Sequence, residues 1–276
     1  MTTQNTLAQT GPVVVKLGGA LLENAEALAS LAQSLAVFDQ AQPNRLVLIH
    51  GGGPIADKKL AAAGITLPKH NGLRATTPDA IGIIIESFKG LANAALVAAL
   101  HNARMNPVGL TLTDGDTLTV SPKVIEGVDL GLVGTPRAAD AGFINACLQA
   151  GQTPVLCSIG LAASNGWHNV NADEAAGALA EVLDAAAILL LSDIPAVLDA
   201  KGTPIPVLDE ASIASLINAG TISGGMIPKV HAAIQAARAA GCPAIIASWS
   251  GADPVGSALS GSGVCTRVYA AQGVLA

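Results

Sequence analysis

Short runs of Val, Ile and Leu, uninterrupted by polar residues, recur along the chain and alternate with helical patterns. "VVVK" (13–16) leads into "ENAEALASLAQSLAVF", and "RLVLIH" (45–50) into "PIADKKLAAAG". "NPVGLTL" (106–112), "TPVLCSI" (153–159), "AILLLS" (187–192) and "PAIIAS" (243–248) continue the series. Unalternated apolar runs are strands buried on both faces, and strands separated by helices build βαβ units around a parallel sheet. The predicted fold class is therefore α/β, with a mainly parallel central sheet. One stretch breaks the pattern: "TLTVSPKVIEGVDLGLVG" (117–134) has short alternating runs around "SPK" and "EGVD", as an antiparallel hairpin would. The 276 residues suffice for one large domain or two lobes sharing a sheet.

Charged residues make up 12% of the chain, against roughly 25% in ordinary soluble domains. No uninterrupted apolar run reaches the ~18 residues of a membrane span. The apolar excess is largely Ala, which points to tightly packed helices and a chain with no membrane role. The net charge is −6, aromatics are 2%, and no basic cluster occurs, so nucleic-acid binding is not expected. An acidic chain that binds an acidic ligand must use a few placed cations and backbone N–H groups. Cys147, Cys157, Cys242 and Cys265 lack CxxC spacing and read as reduced core thiols of a cytoplasmic protein. "MTTQNTLAQTG" has neither a cationic start nor an apolar core, so it is read as a polar tail and not a signal peptide.

Two glycine-rich turns follow predicted strands, "KLGGALL" and "HGGGPIAD". Glycine lets backbone N–H groups approach an anion, and the next helix adds its positive end. Either turn alone is also an ordinary tight strand-to-helix turn. Two on neighbouring strands would share the carboxyl edge, where open α/β sheets bind ligands. Neither is a Walker A loop or a GxGxxG fingerprint. Lys16, at a strand tip before its glycines, can reach a phosphate held by the loop, or can snorkel to the surface.

Further polar groups sit in apolar surroundings. Arg74, in "KHNGLRATTPD", carries a planar fork suited to a carboxylate. "WHNVNADEAAG" gathers Asn169, Asn171 and Asp173 where a helix starts. Capping explains Asn171, with Glu174 at capping-box spacing, but not Asn169. "TISGGMIPKV" puts Lys229 near a helix start, against the macrodipole. The five histidines lack metal spacing, and no Ser-His-Asp or Cys-His signature is present.

Taken in order, "VVVKLGGALL", "VLIHGGG", "NGLRATTPD", "VGLTLTDGD", "NVNADEAAGALA", "LLLSDIPAVLDAKG" and "ISGGMIPKVHAAI" resemble the amino acid kinase family, and within it the members that phosphorylate N-acetyl-L-glutamate. The resemblance runs from about residue 12 to the end. It implies an open αβα sandwich, an N-terminal lobe (1–184) for N-acetyl-L-glutamate and dimerisation, and a C-terminal lobe (185–276) for ATP. By this resemblance Lys16 and Lys229 flank the transferring phosphoryl group, and Asp173 holds both by ion pairing. Gly18 and Gly19 offer amides to the nucleotide. Gly52 and Gly53 contact the acyl-amino acid, and the Gly52 N–H also faces the phosphoryl group. Arg74 and Asn169 meet the substrate's α-carboxylate and amide, with Asn171 nearby. Asp193, Ile194, Pro195, Ala196, Val197 and Leu198, with Thr221, Ile222 and Ser223, fall in ATP-binding stretches. Mg²⁺ is implied to be held by phosphates and water, with no protein ligand. The hairpin at 117–134 is implied to be a lid.

The chain departs from relatives at Ala94, where many carry lysine, and at Gly82, where a polar residue is common. Kinases of acetylaminoadipate, glutamate or carbamate share the fold, and so would a silent ligand-binding relative. The "NGLR" and "NVNAD" pair argues against the former; the presence of both lysines and Asp173 argues against the latter. Arginine-inhibited relatives carry an extra N-terminal helix that builds hexamers. "MTTQNTLAQTGP" lacks amphipathic periodicity, so the expectation is a homodimer, insensitive to arginine, using helices such as "ESFKGLANAALVAALHNA".

Overall fold

The computed structural model describes residues 11–70, 72–163 and 166–270. The expectation for the polar tail, and the assembly argument built on it, fall on residues 1–10, outside the described ones.

The chain opens with β1 (Val13–Leu17), α1 (Ala25–Ala41), β2 (Leu46–His50) and α2 (Gly53–Ala62). A small hairpin, β3 (Lys69–His70) and β4 (Leu73–Arg74), precedes a continuous helix made of α3 (Ile81–Ile85), a π-helical stretch (Glu86–Asn93) and α4 (Ala94–Asn102). Next come β5 (Pro107–Leu110), β6 (Leu118–Pro122), β7 (Val133–Ala138), α5 (Gly142–Gln149), β8 (Thr153–Cys157), β9 (Ile159–Ala162) and β10 (Gly166–Val170). The remainder is α6 (Ala172–Val182), β11 (Ala187–Ser192), β12 (Val207–Asp209), α7 (Glu210–Asn218), α8 (Met226–Ala240), β13 (Ala244–Ser248), α9 (Pro254–Ser260) and β14 (Cys265–Tyr269).

The main sheet has eight strands in the order β12-β14-β13-β11-β1-β2-β8-β5. Every neighbouring pair is parallel except β13–β14. The six apolar runs of the sequence are its six co-directional strands. The boundary expected at residues 184/185 falls between β11 and β1 in this order, with β12, β14, β13 and β11 from the C-terminal part and β1, β2, β8 and β5 from the N-terminal part, and the β1–β11 pairing joins the two halves into one sheet. Strand alternation sorts the core into two layers. Val13, Val15, Leu17, Leu46 and Leu48 pack with α1, α4 and α9. Val14, Val47, Ile49, Ile188 and Leu190 pack with α6 and α8. Helices on both faces of a mainly parallel sheet are the three-layer sandwich expected.

The helix spanning Ile81–Asn102 is long and apolar enough, by length and composition, to cross a membrane. Here it covers one sheet face, burying Ile84, Phe88, Ala92, Leu96 and Leu100. Gly82 and Ala94, where the sequence departs from relatives, are exposed on this helix, and nothing lies within 4 Å of a Cβ placed on Gly82.

The hairpin expected at 117–134 is present as the antiparallel pair β6–β7, but it is not a free lid. It closes with β9 and β10 into a small four-stranded sheet. Lys123, just after β6, is also tied to α6 through Glu174, at 2.9 and 2.8 Å. That pair corrects a second expectation. Asn171 does cap α6, accepting from the N–H groups of Asp173 and Glu174, but the Glu174 side chain goes to Lys123 instead of completing a capping box. The hairpin β3–β4 borders the same cleft as β7.

Candidate active site

Lys16 and the cleft follow from strand alternation. Lys16 shares its face of β1 with Val14, so it points toward the α6 layer, at the carboxyl end of the strand. There α6 begins, and Asp173 in its first turn meets Lys16, Nζ to Oδ1 at 2.8 Å. Both side chains are mostly shielded from solvent, 19% and 28% exposed, so the charge pair is oriented and not merely solvated. The lysine is thus held at the sheet edge, and the alternative of a snorkelling surface side chain does not apply.

The two glycine turns abut. A Cβ on Gly19 would lie 2.6 Å from Pro54 Cδ, and one on Gly52 would lie 2.5 Å from Phe88 Cδ1. Both positions need glycine because of close approach, not because of backbone angle; Gly52 has φ −163°. The Gly18 N–H donates to the Leu191 carbonyl at 3.2 Å, so it prolongs the sheet and is not open to a ligand. The amides of Gly19, Gly52 and Gly53 have no hydrogen-bond partner among the described residues, and neither does that of Ala20, a residue the motif reading passed over. Gly52 is also the N-cap of α2, so these donors stand at a helix's positive end.

Arg74 is buried at 8% exposure and is held at both ends of its fork. Nη2 donates to the Gly53 carbonyl at 3.2 Å, and Nη1 pairs with Asp57 of α2. Lys69 of β3 meets the other Asp57 oxygen at 3.0 Å. The hydrogen bond from Arg74, helped by Lys69, holds the Asp57 carboxyl below its ordinary value. Asp57 is a residue that sequence reading missed: it looks like an ordinary helix-surface acid until β4 brings Arg74 beside it. Asn169 Nδ2 donates to Thr76 Oγ1 at 3.2 Å, and that hydroxyl donates to the Arg74 carbonyl at 2.9 Å. Arg74, Asn169 and the second glycine turn therefore form one connected cluster.

Lys229, in the first turn of α8, pairs with Asp193 just beyond β11, at 3.0 Å. The lysine's hydrogen bond keeps the Asp193 carboxyl below the usual range. The arrangement differs from the expectation that Asp173 holds both lysines: here Asp173 holds Lys16, and Asp193 holds Lys229. Of the other residues in the two expected nucleotide stretches, Ala196, Val197 and Ile222 are core side chains, so they can offer a ligand only backbone and shape. Ile194 and Leu198 are partly exposed, with Pro195, Thr221 and Ser223 beside them.

A cavity of about 960 Å³ opens between the β3–β4 hairpin, β7, α6 and α8, lined by Leu73, Pro136, Asn171, Asp173, Glu174 and Lys229 among others. It brings Asp173 and Lys229 onto one cavity wall. The site as a whole has fixed cations, open amides and a carboxylate-matching guanidinium, but no activated nucleophile among the described residues. That equipment binds and aligns anions.

The sequence model described as the amino acid kinase family matches residues 11–248. An acetylglutamate kinase of Pectobacterium atrosepticum is 41% identical over 259 residues, covering 94% of this chain and 99% of that protein. One from Yersinia pestis is 39% identical over 257 residues, covering 93% and 98%. Among solved structures, N-acetylglutamate synthase of Neisseria gonorrhoeae, complexed with coenzyme A and N-acetyl-glutamate, superposes with a TM-score of 0.82 at 25% identity. That match covers 95% of this chain and 60% of the synthase. Carbamate kinase of Giardia lamblia superposes with a TM-score of 0.64 at 18% identity, covering 96% of this chain and 100% of that one.

Proposed function

The chain belongs to the amino acid kinase family, and from that premise we propose that it transfers the γ-phosphoryl group of ATP to the γ-carboxylate of N-acetyl-L-glutamate. The product is N-acetyl-L-glutamyl 5-phosphate, the second intermediate of arginine biosynthesis. The observation that carries the phosphoryl-transfer reading is Lys16 held by Asp173 at 2.8 Å, beside two touching turns in which the Gly19, Ala20, Gly52 and Gly53 amides are open. The identity of the acceptor rests on relatives that are 39–41% identical over nearly their whole length.

The acceptor carboxylate is ionised at neutral pH, so no general base is needed. What remains is to align two anions and offset their repulsion, which is positioning and electrostatics. Arg74 takes the α-carboxylate of the acyl-amino acid, with Asn169 and Asn171 beside its amide. Asn171 Oδ1 is committed to the α6 cap, so only its Nδ2 serves the ligand. The amides of Gly52 and Gly53 receive the reacting end. Lys16 and the Gly19 amide meet the incoming phosphates, and Lys229 leaves Asp193 for the γ-phosphoryl group. A Mg²⁺ ion bound with the nucleotide would be held by phosphates and water, with no side chain of this protein as ligand, and would supply charge neutralisation there.

An assay of ADP release with acetylglutamate, acetylaminoadipate, glutamate and carbamate in turn tests this reading. Acetylglutamate is expected to give the highest kcat/KM. A higher value with any other acceptor overturns the assignment.

In the same reading the protein is a cytoplasmic homodimer. The location rests on four cysteines that are free and buried. The dimer rests on the outward face of the Ile81–Asn102 helix, where Leu91, Ala94, Ala95 and Ala98 are exposed. Light scattering decides the mass, and a monomer that persists on concentration rules the dimer out.

A further inference from the structure

His50 ends β2, immediately before the triple glycine, and its side chain belongs to the face opposite Lys16, toward the π-helical stretch. It is fully buried. Its Nε2 lies 3.0 Å from Asn93 Nδ2, and its Nδ1 lies 2.6 Å from the Gly51 carbonyl oxygen. The chemistry of the partners fixes the protons. Asn93 Nδ2 also faces the Val155 carbonyl at 2.9 Å, and a carbonyl only accepts, so this end of the amide is the donor. It donates to Nε2 as well, which must then be unprotonated. Neutral imidazole carries its one proton on Nδ1, and that N–H donates to the Gly51 oxygen. Burial, with Lys89 close by on the Gly109 carbonyl, keeps the ring uncharged.

The Gly51 carbonyl and the Gly52 N–H belong to one planar trans peptide and point in opposite directions. Anchoring the oxygen on the buried side turns the N–H away from His50. Phe88, on the same π-helical stretch as Asn93, packs against Gly52 so closely that a Cβ there would lie 2.5 Å from its ring. We infer that His50 is a positioning residue. Held by Asn93 of the π-helical stretch, it fixes the Gly51–Gly52 peptide so that the Gly52 amide is aimed at the transferring phosphoryl group. This inference rests on the phosphoryl-transfer reading above, and it adds a chain Asn93–His50–Gly51 that touches no substrate.

The test compares His50→Asn with His50→Gln. Asparagine places an N–H donor where Nδ1 stands but leaves the larger void. Glutamine fills more of the space and places its polar atoms where Nε2 stands. A packing role makes Asn the worse variant; the positioning role makes Gln the worse one for turnover. The expected result is that His50→Asn retains most of kcat, although it melts lower, whereas His50→Gln loses about 10²-fold in kcat with KM for ATP little changed. A kcat that follows side-chain size, or that is equal in both variants, overturns the inference. A ¹⁵N correlation spectrum of the wild-type imidazole reads the tautomer independently of activity. Nδ1–H is expected; Nε2–H in an active enzyme overturns the relay. If the tautomer is Nδ1–H and the wild type makes no ADP from acetylglutamate, it is the substrate assignment that falls.

Discussion

Gly52→Ala is the substitution for which the structure allows the most definite expectation. With φ at −163°, alanine meets no backbone strain, so the whole effect must come from what the new methyl touches. It would stand 2.5 Å from Phe88 Cδ1, 3.0 Å from Cε1 and 3.2 Å from Cγ, where ordinary contact needs 3.4–4 Å. Phe88 is buried on the helix that also carries Asn93, so the ring cannot simply swing away. The loop must retreat by about 1 Å, a displacement at the reacting end that typically costs about 10²-fold in rate, or about 2.7 kcal/mol of transition-state stabilisation. The overpacking itself costs roughly 1–3 kcal/mol of stability. In the ADP-release assay, Gly52→Ala is expected to lose about 10²-fold in kcat/KM while remaining folded by circular dichroism. Shortening the ring by Phe88→Leu in the same chain should return at least part of that loss. Gly82→Ala is the control: it is exposed, helical and open, so it should leave activity alone and gain roughly 0.5–1 kcal/mol of stability. The reasoning fails if Gly52→Ala is as active as wild type, or if Phe88→Leu does nothing for the double variant.

Lys16→Ala and Lys229→Ala should each lower kcat by about 10²–10³-fold with smaller changes in KM, since charge builds up on the transferring group; near-normal kcat in either variant removes that lysine from the transition state. Arg74→Lys keeps the charge but loses the fork, and should raise KM for acetylglutamate while leaving KM for ATP nearly unchanged. Asp57→Asn should do the same more mildly by releasing Arg74, and an equal effect on both substrates would move the pair out of the acceptor pocket. His50 is held neutral by burial, with its folded-state pKa lowered to about 4 from 6.5. A depressed folded pKa gives stability that is complete above pH 6.5 and is lost as pH falls toward 4, by roughly 3 kcal/mol at most. Urea titrations across that window should therefore show a steeper loss for wild type than for His50→Gln, and parallel slopes would contradict it.

Much of this was legible in the sequence for a simple reason. Strands buried on both faces leave unalternated runs, and all six such runs entered the main sheet. Strand tips are also legible, because Lys16 is an anomaly in an otherwise apolar run. What stayed hidden depends on partners far apart in the chain. Nothing near Asp57 announces Arg74, and nothing near Lys229 distinguishes Asp193 from Asp173 as its partner in this structure. The hydrogen bond that takes the Gly18 N–H out of ligand reach goes to the carbonyl of Leu191, on a strand met much later in the chain. The closing of β6 and β7 with β9 and β10 is equally non-local; the alternation showed a pair of strands but not what would cover them. Nothing near His50 sets it apart from the other histidines, because its partners, Asn93 and its own neighbour's carbonyl, are visible only once the helix is in place.

The π-helical stretch did leave a trace. Ile84, Phe88, Ala92, Leu96 and Leu100 are buried at a constant spacing of four. On an ideal α-helix each such step drifts by about 40°, so Leu100 would face about 160° away from Ile84. Unwinding between Glu86 and Asn93 absorbs that drift and keeps the row in phase. The helix is thus cut to a frame, much as a reading frame is. Removing one residue from the stretch while restoring a plain α-helix would turn one half against the other by about 60°, the drift of about 160° less the 100° of the lost residue. Either Asn93 would lose His50, or the exposed row through Leu91, Ala94 and Ala98 would swing to another side of the molecule. A lineage that edits the length of this helix therefore cannot change its outer surface and leave its catalytic side untouched.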